Sequence, residues 1–96
     1  MERIGPWSVA ESDIEGLGVF AKRRFLAGEV VGECVVDGLR TQLGRFVNHS
    51  AYPNTNYVQS ESGCALVALR SIDKDQEITT NYRYSPAMRS LLCQER

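Results

Sequence analysis

The sequence predicts a mostly β fold, and three observations support this prediction. Most of the chain consists of short runs rich in β-branched and aromatic residues, which glycine, asparagine or aspartate interrupts. Two of these interruptions have the composition of hairpin turns. No stretch has a strong amphipathic helical pattern before the C-terminal region. Six strands are predicted, at residues 4–10, 18–22, 29–36, 56–60, 64–70 and 77–80.

Two turn sequences fix where the predicted strands end. The tetrapeptide Ser-Glu-Ser-Gly at residues 60–63 separates two strands, and Gly63 can adopt a positive φ that would strain other residues. Asp37-Gly38 ends the third strand in the same way. A hairpin is therefore expected at each position.

Two stretches resemble each other. Residues 21–31 and 68–79 each run from a strand through an Arg-x-apolar sequence and a short polar turn to a glutamate and a β-branched pair. A strand-corner-strand unit used twice explains the likeness, with one additional residue in the second turn. Convergence on ordinary turn chemistry is the alternative explanation.

Two short helices are predicted. Residues 41–47 form one helical turn, because apolar residues recur there at positions i, i+3 and i+4. Residues 85–93 form a longer helix with the same apolar spacing, in which Ser85 suits the N-cap and Pro86 the first helical position. This second helix is expected to cover an open sheet face or a site.

Composition restricts the class of protein. A chain of 96 residues with 43% hydrophobic residues, 24% charged residues and a net charge of -1 is typical of one soluble domain. The balance of charge argues against direct nucleic-acid binding, which needs an excess of lysine and arginine. No run of about 18 apolar residues or signal-peptide pattern is present, so we expect no membrane partner and an intracellular protein, cytoplasmic or nuclear.

The three cysteines predict free thiols and no metal. Cys34, Cys64 and Cys93 are odd in number, widely separated and without a Cys-x-x-Cys pair or a nearby histidine pair. A zinc site therefore has no sequence signature here, and a disulfide framework is not expected.

The stretch at residues 45–56 holds the only histidine and three of the four asparagines. Its polar side chains follow directly on apolar Phe46 and Val47, which indicates that they are held at the edge of a core, as in a binding site. The alternative is an ordinary loop with Asx-turns and a buried, hydrogen-bonded His49. The stretch taken alone leaves both interpretations open.

Residues 16–21 fit the glycine-rich pattern Gly-x-Gly-x-x-Ala. A dinucleotide site with this pattern needs a strand before it and a helix after it, and the sequence predicts neither. What remains is a close approach of backbone to a ligand, or a tight turn.

Three sequence marks occur in order: Gly-x-Gly-x-Phe-Ala at residues 16–21, Arg-Phe-Val-Asn-His-Ser-x-x-Pro-Asn at 45–54, and Ala-x-Arg-x-Ile at 68–72 leading to Glu-Ile-Thr-Thr-Asn-Tyr at 77–82. Together they resemble the SET domain family of S-adenosylmethionine-dependent protein-lysine methyltransferases. The resemblance implies a single minimal SET domain over residues 1–96. It also implies a SET-type β-clip fold of small curved sheets, with a short C-terminal helix and a knot-like core where the segments around Asn48 and Tyr82 thread together.

The same resemblance implies a cofactor, S-adenosyl-L-methionine, and the residues that bind it. The methyl donor would lie against the backbone of Gly16, Leu17 and Gly18. Asn48 would bond the amino-acid moiety of the donor, and the backbone of His49 would meet the adenine.

For catalysis, the resemblance assigns Tyr82 a place beside the transferred methyl group, and Phe46 and Tyr84 a place along the lysine channel. The reaction would be an in-line displacement by a neutral lysine amine, which the protein must align, desolvate and deprotonate. The expected substrate is a lysine of a protein or peptide, histone-like in the simplest case, and a second copy of the chain is a further candidate partner.

Two departures from the family pattern leave other functions open. Only residues 37–44 stand where most SET enzymes carry an inserted helical segment, and Ala51 stands where many relatives have a zinc-binding cysteine. The roof of the channel would then come from residues 84–96 or from a second copy. The alternatives are a SET-fold module that binds cofactor or protein with weak or no catalysis, and a structural β domain without a ligand.

Overall fold

A computed structural model describes residues 6–81, and it is mostly β, as predicted. Eight strands and one short helix follow in the order β1 (Trp7–Glu11), β2 (Leu17–Ala21), β3 (Val30–Val36), β4 (Leu39–Arg40), α1 (Gln42–Phe46), β5 (Asn48–His49), β6 (Thr55–Ser60), β7 (Gly63–Ala68) and β8 (Glu77–Thr80). They form two small sheets, ordered β1-β2-β8-β5 and β4-β3-β7-β6. The predicted C-terminal helix, and the threading of the segment around Tyr82, lie outside the described residues.

All six predicted strands form, with ends that differ by a few residues, and the predicted start of the first strand at residues 4–5 lies outside the described residues. Strand β8 has its predicted bounds. The two-residue strands β4 and β5 were not predicted, because neither is long enough to show alternation. Strand β5 exists only through its parallel pairing with β8, where Asn48 lies opposite Thr79.

The predicted hairpin at Asp37-Gly38 is confirmed. Val36 pairs with Leu39, so the turn between β3 and β4 has two residues. Asp37 has φ 51° and Gly38 has φ 82°, and positive values at both positions are those of a type I′ turn, whose twist matches the strands that it joins.

The hairpin at residues 60–63 is also confirmed, but the predicted reason for its glycine was wrong. Ser60 pairs with Gly63, so the turn residues are Glu61 and Ser62, and Gly63 belongs to strand β7 without a positive φ. A β-carbon at Gly63 would overlap the backbone carbonyl of Val35 on β3. Close approach of two strands, and not turn conformation, therefore requires glycine here.

The repeated segments pack against each other about an approximate twofold axis. At its centre, the N–H of Phe25 donates to the carbonyl of Ile72 and the N–H of Ile72 donates to that of Phe25, both at 2.9 Å. Gly28 and Asp75 occupy equivalent turn positions and have φ values of 89° and 72°. A strand-corner-strand unit is thus used twice.

The turns of the two units have equal length, so the extra residue in the predicted alignment was wrong. The Glu29 carboxylate accepts from the N–H of Leu26 at 2.8 Å, and the Gln76 amide oxygen accepts from the N–H of Asp73 at 2.9 Å. Residue 29 therefore corresponds to residue 76, just as 25 corresponds to 72. Glu77, which the sequence alignment matched with Glu29, is therefore not the equivalent of Glu29 in the repeated turn.

The predicted single helical turn is confirmed as α1. Thr41 caps it, since its hydroxyl accepts from the N–H of Gly44 at 3.2 Å, and Leu43 is fully buried. A β-carbon at Gly44 would overlap the carbonyl of Cys34, so the helix lies directly on β3. The position of α1 on β3 therefore sets where the chain leaves the core and where Asn48 lies.

Two thiols lie side by side in the core. Cys34 and Cys64 are buried and free, and their sulfur atoms are 2.9 Å apart on the adjacent strands β3 and β7. Burial raises the pKa of the Cys34 thiol far above its ordinary value of 9.0, and the hydrogen bond with Cys64 raises it further. Cys34 is therefore a poor thiolate and acts as a core residue.

This raised pKa predicts a loss of stability in alkali. Above about pH 9 the unfolded chain releases the Cys34 proton while the native chain keeps it, so this thiol lowers the free energy of unfolding by about 1.4 kcal/mol per pH unit. Cys34→Ala lacks this term. Urea unfolding between pH 8 and pH 10.5 should show the difference in stability between wild type and variant shrinking as pH rises; parallel curves would contradict the assignment.

Candidate functional site

Three segments far apart in the sequence meet beside the β1-β2-β8-β5 sheet. They are the loop at residues 12–16 between β1 and β2, strand β5 and the start of β8. Asn48 on β5 contacts Ser12, 36 positions earlier, and Glu77, 29 positions later. The pairing of β8 with both β2 and β5 brings these side chains together.

The side-chain amide nitrogen of Asn48 lies among four oxygens. The side chains of Ser12 and Glu77 are each 3.0 Å away, and the carbonyls of Glu15 and Leu17 are at 3.1 and 3.3 Å. All of these are acceptors, so the opposite amide orientation would set oxygen against oxygen, and the network assigns the nitrogen to the inner side. No described residue donates a hydrogen bond to Asn48 Oδ1.

Ser12 and Glu77 support this arrangement. The Ser12 hydroxyl donates to the Glu77 carboxylate, 2.8 and 2.9 Å from its two oxygens, and it accepts from the N–H of Ile14 at 2.9 Å. The N–H of Ser12 donates to the carbonyl of Gly16 at 2.8 Å, which closes the loop. Glu77 is half-buried, and no described lysine, arginine or histidine forms an ion pair with it.

Gly18 makes room for this cluster. A β-carbon there would overlap the Glu77 carboxylate and would lie 2.9 Å from Ser12 Cβ and 3.0 Å from Asn48 Nδ2. The sequence predicts that its missing side chain frees backbone for a ligand. The structure adds a second reason, because the absent side chain is also what allows the polar cluster to close.

The other residues predicted to bind cofactor lie around this cluster. Gly16 has φ 47° with open space where a side chain would start, so conformation rather than crowding favours glycine there. Leu17 is exposed, and its carbonyl is one of the four oxygens around Asn48. His49 follows Asn48 on β5 and is exposed. The alternative interpretation of this stretch, an ordinary loop with a buried histidine, is therefore wrong about His49.

The side chain of Asn54 stabilises the site through hydrogen bonds to strand β8. Its side-chain nitrogen donates to the carbonyl of Glu77 at 2.8 Å, and its oxygen accepts from the N–H of Thr79 at 2.9 Å. The side chain of Asn54 thereby pairs with β8 as a neighbouring strand would. Since it is 4% exposed, water cannot replace these bonds.

The remaining predicted site residues are only partly described. Phe46 ends α1 and packs, half-buried, against the core, two positions before Asn48. Tyr82 and Tyr84 lie outside the described residues. Sequence reasoning missed Ser12 and Glu77 as site residues; the only signal for Glu77 was its position at the head of the Glu-Ile-Thr-Thr-Asn-Tyr motif.

The charge of the site favours a cationic ligand. The site contains backbone carbonyl oxygens and the Glu77 carboxylate, the adjoining loop carries the exposed acidic residues Asp13 and Glu15, and residues 10–20 contain no lysine or arginine. A phosphate would be repelled here, which agrees with the absence of a helix after the Gly-x-Gly pattern. Within residues 6–81, no three metal-ligating side chains come together.

No helix in the described part of the chain is long and apolar enough to span a membrane.

Comparisons with known proteins agree with the sequence resemblance. The family model for the SET domain matches residues 34–83. The fold is similar to the crystal structure of a Plasmodium falciparum protein described as a histone methyltransferase, with a TM-score of 0.71 and 23% sequence identity over 88% of this chain and 98% of that one. At this identity the likeness shows the fold alone. No curated protein sequence matches the chain.

Proposed function

The chain belongs to the SET domain family, and from this premise we propose that it is an S-adenosylmethionine-dependent protein-lysine N-methyltransferase. The substrate would be a lysine side chain of a protein or peptide. The similar Plasmodium falciparum structure, described as a histone methyltransferase, makes a basic, histone-like segment the first substrate to test.

One observation carries the proposal for the donor. The side-chain nitrogen of Asn48 faces the four oxygens described above. Its Oδ1 points away from them and can accept a hydrogen bond from a ligand. An ammonium group is the complementary ligand, since it is a donor and carries a positive charge. The acidic, oxygen-lined surroundings favour a cation further.

The residues present fit S-adenosylmethionine, which carries both an ammonium and a sulfonium. When bound, it supplies a methyl group on a positively charged sulfur that is a good leaving group. Asn48 would hold the ammonium end, and the open backbone at Gly16 would lie along the donor.

The acceptor lysine must be neutral to react, although its ordinary pKa is about 10.4. We assign to Phe46 and Tyr84 an apolar channel that lowers this pKa by desolvation, and to Tyr82 the orientation of the amine beside the methyl group.

A second candidate function rests on the short connection between β3 and β5. Residues 37–47 hold only a hairpin turn, β4 and α1, so this connection offers little surface for a substrate groove. A module that binds the cofactor or a protein partner without efficient methyl transfer would need no such groove.

Donor binding and methyl transfer test the two candidates. Saturation at 100 times the dissociation constant should raise the melting temperature by roughly 10 °C or more, because binding to the native state alone contributes about 2.7 kcal/mol. Asn48→Ala should weaken binding about tenfold or more, whereas Gln59→Ala, an exposed amide on β6, should bind as wild type.

Radiolabelled methyl transfer to basic proteins should then be lost in Tyr82→Phe with donor binding retained. Binding by wild type without transfer to any of a broad peptide set would favour the binding module. Absence of both donor binding and transfer would reject the methyltransferase and the cofactor-binding module together.

A further inference from the structure

We propose that Ser12 and Glu77 are positioning residues that fix the orientation of the Asn48 side chain and thereby set the affinity for the donor. The inference rests on the proposed function and adds to it two residues that act on the donor through Asn48. Neither needs to touch the donor for this role.

The orientation of an asparagine side chain is decided by its neighbours. Rotation by 180° about the last bond exchanges its nitrogen and oxygen at almost no internal cost. Of the four oxygens around Asn48 Nδ2, only those of Ser12 and Glu77 belong to side chains, and both are at 3.0 Å. They are also the closest of the four.

The negative charge of Glu77 strongly favours the orientation in which the nitrogen of the Asn48 amide faces the carboxylate. An N–H bond to a carboxylate is roughly twice as strong as a neutral one, and an amide oxygen turned toward the same carboxylate would be repelled. No described cation neutralises Glu77, so its field acts on the amide directly.

Ser12 connects the Glu77 carboxylate with the loop at residues 12–16 through the hydrogen bonds of its hydroxyl group. Its single hydroxyl proton is directed at Glu77, between the two carboxylate oxygens, which leaves its oxygen as an acceptor for Asn48. The same oxygen accepts from the N–H of Ile14, and this bond shapes the loop that carries Gly16. Loop 12–16, β5 and β8 are thus connected through one hydroxyl group.

The test compares Glu77→Gln and Ser12→Ala with Glu33→Gln, an exposed glutamate on β3 in the other sheet. Calorimetry should show donor affinity about tenfold weaker or more in the first two variants and unchanged in Glu33→Gln. At saturating donor, the turnover number of Glu77→Gln should stay within a few-fold of wild type, because the loss concerns binding. In an Asn48→Ala background, Glu77→Gln should cost little further affinity, since Glu77 acts through Asn48.

A readout without ligand separates this inference from the proposed function. The side-chain NH₂ resonances of Asn48, identified by their loss in Asn48→Asp, should be dispersed in wild type and move toward those of a free amide in Glu77→Gln. Unchanged resonances in a folded Glu77→Gln protein would overturn the positioning role, whether or not donor binds. A wild type that does not bind donor would defeat the proposed function, while the resonances would still decide the positioning role.

Discussion

Asn54→Ala is expected to lower the free energy of unfolding by roughly 3 kcal/mol or more. The substitution removes the amide that pairs with the carbonyl of Glu77 and the N–H of Thr79. The N–H of Thr79 then loses its partner in a buried place and the carbonyl of Glu77 in a partly buried one, and each such loss costs about 1–3 kcal/mol. Against a total stability of about 5–15 kcal/mol, this is a large share, and urea unfolding will measure it.

Asn56→Ala is the matched control. Asn56 lies two positions away on β6, is half-buried, and its side chain makes no hydrogen bond among the described residues. Its replacement should change stability by about 0.5 kcal/mol or less. Equal losses in the two variants would show that the Asn54 amide does not act as a strand partner for β8.

Gly18→Ala is expected to abolish measurable donor binding and to lower stability by about 1–3 kcal/mol. The added methyl group would overlap the Glu77 carboxylate and press on Ser12 and Asn48. Something in the cluster must then move, and any movement of Asn48 displaces the oxygen assigned to the donor. Calorimetry for binding and urea unfolding for stability give the two effects separately.

A double-mutant cycle identifies the cause. If the methyl group clashes with Glu77, Gly18→Ala should cost much less stability in a Glu77→Ala background, where the carboxylate is gone. Additive costs would place the strain at Ser12 or Asn48 instead. Normal donor affinity in Gly18→Ala would contradict the geometry of the site.

Local chemistry made several features predictable. The two hairpin turns and helix α1 depend on residues adjacent in sequence, so the turn sequences and the apolar spacing at residues 41–47 indicated them correctly. The longer strands followed from their β-branched and aromatic content. The family resemblance likewise rests on contiguous motifs, which the match of the SET domain model to residues 34–83 bears out.

Features that depend on distant residues could not be predicted. Strand β5 has no strand pattern of its own and forms because β8 lies beside it. The glycine at position 63 is explained only by a carbonyl on another strand. Ser12 gave no local signal and Glu77 gave only its place at the head of a motif, since a serine in an acidic loop and a glutamate at a strand start are ordinary surface residues.

Neighbouring residues were enough to indicate a mostly β chain, its two hairpins and its short helix, and they carry the resemblance that names Asn48 and Gly18. The direction in which the Asn48 amide faces, and the groups that hold it there, become visible only in the folded chain. That outcome depends on oxygens from residues 12, 15, 17 and 77, which the pairing of β2, β8 and β5 brings within 3.3 Å of one nitrogen atom. Asn48 is 36 positions from Ser12 and 29 positions from Glu77 in the sequence, so no local sequence pattern indicates these hydrogen bonds. They form only when folding brings the atoms within hydrogen-bonding distance.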